Sequence, residues 1–205
     1  MIKLYGYDLS GNTYKVKLLL HLLNLEYQFV GLDVKNKQHK TNDYLKLNPR
    51  GEFPALEDGK VVVWDSQAIL VYLAQKYGAE LNVNHWYPAN AEDMAYITQW
   101  LTVANGEIFN FLGKARSRIK FGYECDLQLA QTQGKALLEW INKHLSKRIW
   151  LATNNASIAD IACYPYIALC EEGNISLEGY PFIDAWFQKI QSLNGYISMQ
   201  GIKDR

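Results

Sequence analysis

The stretch Arg50 to Ile69, RGEFPALEDGKVVVWDSQAI, decides how the rest of the chain is read. Pro54-Ala55-Leu56 is a short apolar run entered through a turn. Asp58-Gly59 follows, a dipeptide favoured in two-residue hairpin loops because both residues tolerate positive φ. Val61 to Trp64 is β-branched and aromatic and reads as the returning strand. Asp65-Ser66 then opens an apolar helical pattern through Ile69, Tyr72 and Leu73, with Gly78 as its expected stop. A cis bond before Pro54 would turn the backbone of Phe53 toward a peptide ligand. The helix start at Ser66 offers unpaired N–H groups to a carboxylate. Prolines at strand edges and serines at helix starts are common as plain structure, so the unit gains meaning only from what surrounds it.

Upstream, Ile2 to Tyr5 is a strand candidate, and Gly6 to Asn12 is a loop of turn formers. Val16, Leu19, Leu20 and Leu23 recur at helical spacing until Asn24, and Tyr27 to Val30 is a second strand. Asn36 to Leu47 is polar with a weak helical tendency, broken at Asn48-Pro49. The order is βαβ-α-ββα, a thioredoxin-like arrangement assigned to residues 1–79. Gly78 to Asn90 lacks periodicity and is read as a linker. Downstream, Met94, Ile97, Leu101, Ala104, Ile108, Leu112, Ala115 and Ile119 mark one face of a long helix. Leu127, Ala130, Gly134, Leu137, Ile141 and Leu145 mark a second. Ser157-Ile158-Ala159-Asp160 has capping-box spacing ahead of a third, and Phe182 to Leu193 forms a last amphipathic one. Residues 88–205 are therefore expected to be all-α, which makes the fold class α/β plus all-α.

The bulk composition narrows the function. The chain has 205 residues, 49% hydrophobic and 20% charged, with a formal net charge of zero. That balance gives no reason to expect nucleic acid or an anionic membrane surface as partner. No apolar run approaches the ~20 residues that span a bilayer. Cys125, Cys163 and Cys170 are odd in number and contain no CxxC, so neither a disulfide framework nor a metal site is expected. A reduced, cytoplasmic setting follows from this as an expectation.

Three motifs in order resemble the cytosolic glutathione S-transferase superfamily across essentially the whole chain. Leu47-Asn48-Pro49 with Phe53-Pro54-Ala55-Leu56 is similar to the family's segment ending in its cis-proline. Asp65-Ser66-Gln67-Ala68-Ile69 is similar to its Glu/Asp-Ser-x-Ala-Ile signature, and Ser157 to Asp160 to its helical-domain capping box. The resemblance implies an activating residue in the loop after the first strand. Setting Lys15-Val16 on the basic–aliphatic pair that follows that loop puts Ser10 at the catalytic position. No cysteine stands at Ser10 or Thr13, which disfavours a cysteine-based reductase mechanism. Tyr5 and Tyr7 remain as tyrosine alternatives. Asn12 is a second donor, supported by resemblance to Nu-type bacterial members with Thr-x-Asn here.

The rest of the site is implied by the same resemblance. Glutathione, as co-substrate, would meet the backbone of Phe53 beside Pro54, with Asp65 and Ser66 at its γ-glutamyl end and His39 at its glycine carboxylate. Arg50 is a further candidate for that carboxylate. A small hydrophobic electrophile would lie against Tyr7, Asn105, Ile108, Phe109 and Leu112. Lys114, Arg116, Arg118 and Lys120 are expected as a solvated basic group suited to a helix C-terminus. A homodimer acting in detoxification completes the implied picture. Two rivals stand beside transfer to an electrophile: glutathione-dependent disulfide or peroxide reduction of Nu type, and a non-catalytic interaction protein of the same fold.

Overall fold

The computed structural model describes residues 1–81 and 83–205. Asn82, inside the expected linker, lies outside the described residues. The first half runs β1 (Ile2–Gly6), α1 (Gly11–Leu22), β2 (Tyr27–Gly31), α2 (Asn42–Leu47), β3 (Ala55–Asp58), β4 (Val61–Trp64) and α3 (Ser66–Glu80). The four strands form one sheet in the order β2-β1-β3-β4. β1 pairs parallel to β2 and antiparallel to β3, and β3 pairs antiparallel to β4. The crossover through α1 is what permits the parallel pair. The Phe53–Pro54 bond is cis.

The hairpin differs from expectation by one residue. Asp58 pairs with Val61, so the loop is Gly59-Lys60, and only Gly59 takes a positive φ, of 62°. Asp58 is instead the last strand residue, where its carboxylate accepts from Tyr72 (2.8 Å), Lys76 (2.6 Å) and Tyr77 (2.6 Å) of α3. Gly78 does not stop α3, which continues to Glu80. The chain folds back just beyond it, where Val83 N–H donates to the Gly78 carbonyl at 2.8 Å.

The second half is helical: α4 (Ala91–Val103), a stretch with π-type bonding (Ala104–Gly113), α5 (Lys114–Phe121), α6 (Leu127–Leu145), α7 (Ile158–Ala168) and α8 (Pro181–Gln191). The expected single long helix is thus interrupted by a π segment, where Lys114 N–H donates to the Phe109 carbonyl. π-type turns inside helices occur frequently at functional sites. Both halves of the capping box form, and Asp160 also accepts from Leu151 N–H (3.0 Å) and Trp186 Nε1 (2.9 Å).

α7 is buried along its whole length and packs on α1, which is itself buried on most sides between its sheet and the helical half. One hydrophobic core therefore runs through both halves, from Leu4 and Leu56 in the sheet to Ile141 and Trp186 in the bundle. Each fully buried Leu or Ile contributes about 1.5–3 kcal/mol. A smaller cluster of Leu32, Tyr44 and Ala55 seats α2 and the half-buried Phe53.

Candidate active site

A cleft of about 1120 Å³ opens between the sheet half and the α4–α5 wall. Its floor is the loop from β1 to α1. Ser10 is the N-cap of α1, its Oγ accepting from the Thr13 N–H at 3.2 Å, as cap serines do. The hydroxyl keeps its one proton to donate, with the Tyr166 phenol oxygen beside it as the neighbouring acceptor in the protein. Asn12 follows within the first turn, its Oδ1 buried without a hydrogen-bond partner.

The opposite rim comes from the cis-proline loop. Asn48, 1% exposed, ties this loop down: its Nδ2 donates to the Glu52 carbonyl at 2.7 Å and its Oδ1 accepts from Arg50 N–H at 3.0 Å. Tyr44 donates to the same Glu52 carbonyl at 2.7 Å. β3 begins only at Ala55, so Phe53 presents its backbone outside the ladder. The His39 ring stands edge-on to Phe53 with centroids 5.5 Å apart, and its Nδ1 is buried without a partner. Burial, then the charges of Lys40 and Lys37, hold the His39 pKa below its ordinary value. Arg50 is turned onto Glu52, with its Nε 3.1 Å from the carboxylate.

Asp65 is the N-cap of α3 and sits at φ 75°, outside the comfortable region for a residue with a side chain. Such backbone costs about 1–3 kcal/mol and clusters at ligand sites. Its carboxylate accepts from Gln67 N–H (2.9 Å) and Ala68 N–H (3.2 Å), which holds the turn. Ser66, 3% exposed, donates its hydroxyl to Gln67 Oε1, and its own N–H is one of the first-turn donors that a helix leaves unpaired.

Tyr7, Ser10, Asn12, His39, Phe53, Pro54, Asp65, Ser66, Asn105 and Phe109 all line this one cleft. Ile108 and Leu112 do not: both are fully buried in the core. Stepping by four from Ala104, they stay on the face turned to the bundle through the π segment. Tyr5 faces away from the cleft, its hydroxyl donating to Glu57 at 3.2 Å. The basic group divides. Arg116 is 2% exposed and pairs with Glu172, its Nη1 donates to the Leu9 carbonyl at 2.9 Å, and Lys120 pairs with the same Glu172. Arg118 stays exposed as expected, and Lys114 is an exposed member of the cleft wall.

Sequence reasoning missed Tyr166. This α7 residue is 5% exposed, yet it lines the cleft against the Ser10 loop. No local pattern separates it from Tyr164, a second phenol two positions earlier in the same buried helix.

Comparison with known proteins places the fold in a family. The glutathione S-transferase N-terminal domain model matches residues 1–75 and the C-terminal domain model residues 112–194. Glutathione S-transferase D7 of Anopheles gambiae is 30% identical, over 91% of this chain and 84% of its own. The disulfide-bond oxidoreductase YfcG of Escherichia coli is 29% identical over 94% and 91%. The crystal structure of a glutathione S-transferase from Pseudomonas fluorescens superposes with TM-score 0.89 at 30% identity, covering 97% of this chain and 98% of that one. A thioredoxin-like domain carrying a helical domain, with the cleft between them, is the architecture of the glutathione S-transferase family. The chain belongs to the cytosolic glutathione S-transferase superfamily.

Proposed function

We propose that this enzyme activates the thiol of glutathione through Ser10 and directs the thiolate at a small hydrophobic electrophile. One observation carries the reading: Ser10 Oγ accepts from Thr13 N–H at 3.2 Å, so its one proton, beside the Tyr166 phenol on the cleft floor, is what a thiolate would draw. An ordinary thiol has a pKa of roughly 8.5, so half-ionisation at neutral pH requires lowering it by ~1.5 units, or about 2 kcal/mol. A hydrogen bond to a charged group supplies about 1.5–3 kcal/mol, so no general base is required. In this reading the Phe53 backbone meets the cysteinyl part of glutathione. Ser66 N–H and Asp65 hold the γ-glutamyl end, and His39 meets the glycine carboxylate. Tyr7, Asn105 and Phe109 face the electrophile. The protein acts as a cytoplasmic homodimer that removes reactive electrophiles.

A second reading, glutathione-dependent disulfide reduction, is favoured by similarity to the Escherichia coli disulfide-bond oxidoreductase and by Asn12 on the cleft floor. The ultraviolet absorbance of bound glutathione thiolate, titrated across pH, tests the first. The expected result is a lowered thiol pKa in wild type that returns toward the free value in Ser10→Ala. The same lowered value in both proteins removes Ser10 from the role. Turnover of mixed disulfides without aromatic conjugation selects the second reading, and failure to bind glutathione defeats both.

A further inference from the structure

We propose that Tyr166 is a catalytic residue, a phenol supplied by the helical half that donates a hydrogen bond to the glutathione sulfur beside Ser10 and Asn12. The inference rests on the thiolate reading above and extends it to a residue on the far side of the chain.

The ring is held by its neighbours. A Cβ on Gly11 would lie 2.9 Å from both Cε1 and Cζ of Tyr166, and 3.2 Å from Cε2. The hydroxyl-bearing end of the ring therefore lies flat on the backbone between Ser10 and Asn12, where only glycine leaves room. A Cβ on Gly113 would come within 3.3 Å of the same ring's Cδ1 and Cε1. Phe109 packs edge-on with centroids 5.5 Å apart, and the buried Lys15 ammonium stands 5.3 Å from the ring centroid. Two glycines, an aromatic edge and a cation fix one orientation, and that preorganisation is what electrostatic stabilisation of a developing charge requires.

The hydroxyl is unusual among the buried tyrosines. Tyr14 donates to the Ile197 carbonyl at 2.5 Å, Tyr44 to the Glu52 carbonyl at 2.7 Å, and Tyr164 shares a bond with Tyr196 at 2.9 Å. Among the described residues, Tyr166 donates to no protein acceptor, although buried phenols normally find one. Its small remaining exposed surface belongs to the cleft wall. Burial pushes the Tyr166 pKa up to about 12, against the opposing pull of Arg116, the Asn12 N–H and the Ser10 hydroxyl. The phenol thus stays protonated throughout the working pH range. The sulfur's own proton leaves to solvent, and the phenol keeps its proton while donating it to the anion.

Tyr166→Phe removes the hydroxyl and leaves the packed ring, so folding is preserved and melting temperature serves as the control. The bound thiol pKa, read from thiolate absorbance, is expected to rise by about 1 unit, with the pH profile of kcat/KM for a chlorodinitrobenzene moving up by the same amount. At a pH below the wild-type value, kcat/KM falls roughly tenfold while the glutathione KM is retained. A purely structural role would leave the thiol pKa and the profile in place, and that result overturns the proposal. If Ser10→Ala abolishes the lowered pKa and Tyr166→Phe does not move it, this inference fails and the Ser10 reading survives. If wild type does not lower the thiol pKa, both fail.

Discussion

Arg116 on α5 donates through Nη1 to the carbonyl of Leu9 at 2.9 Å, so the helical half holds the backbone next to Ser10. The guanidinium is buried and shares Glu172 with Lys120. Glu172→Gln leaves that cation buried without its countercharge, a loss of about 3–5 kcal/mol for a broken buried pair. Arg116→Met removes the buried cation and leaves Glu172 paired with Lys120, so its cost in stability is smaller. It also frees the Leu9 carbonyl, and the expected price is paid in catalysis: a raised pKa of bound glutathione thiol and a lower kcat/KM. Urea unfolding and the thiolate titration together check this order. A larger stability loss in Arg116→Met with an unmoved thiol pKa contradicts it.

Asp160 is a fully buried carboxylate whose four contacts are all donors: Leu151 N–H, Ser157 N–H, the Ser157 hydroxyl and Trp186 Nε1. Asp160→Ala leaves these donors unsatisfied, at about 1–3 kcal/mol each for the groups that stay dry. Asp160→Asn is expected to be nearly as damaging, because its amide NH₂ must face donors in place of an oxygen. Denaturant midpoints of the two variants measure this, and a near-native Asp160→Asn would show that the site relaxes.

Asp58 predicts acid sensitivity at the base of the hairpin. Burial raises its pKa, but the hydrogen bonds from Lys76, Tyr77 and Tyr72 outweigh that and hold it at about 2, below the ordinary 3.8. A depressed folded-state value means that the unfolded chain binds the proton more readily. The stabilisation is therefore present above pH 3.8 and is lost as pH falls toward about 2. Asp58→Asn should flatten the fall in melting temperature across this window. An unchanged slope would place the acid sensitivity elsewhere.

Gly11→Ala tests the contact between α1 and α7. The new methyl meets the Tyr166 ring at 2.9 Å, and overpacking of this kind costs about 1–3 kcal/mol. Gly106→Ala, with nothing within 4 Å, is the counterpart and is expected to stabilise the helix by up to about 1 kcal/mol. Thermal melts of the pair give the comparison, and equal effects would mean that the ring at Gly11 gives way freely.

Local chemistry made much of this protein legible in its sequence. The strands and helices of the first half and the helix starts at Ser66 and Ser157 follow from periodicity, capping and turn residues within a few positions; α1 begins at Gly11, inside the expected loop, and the residues proposed to meet glutathione come from the resemblance to the family. Those signals fail where the partner is distant. Arg116 and Leu9 are 107 positions apart, and a charge in a basic run reads as solvated until the fold buries it beside Glu172. Ile108 and Leu112 share a stripe with the core residues Ala104 and Ala115, and only the packing of the π segment decides that they face inward. Tyr166 had no local pattern to mark it. Its place on the cleft floor comes from α7 packing on α1, where Gly11 lets a side chain of the helical half lie against the backbone of the other.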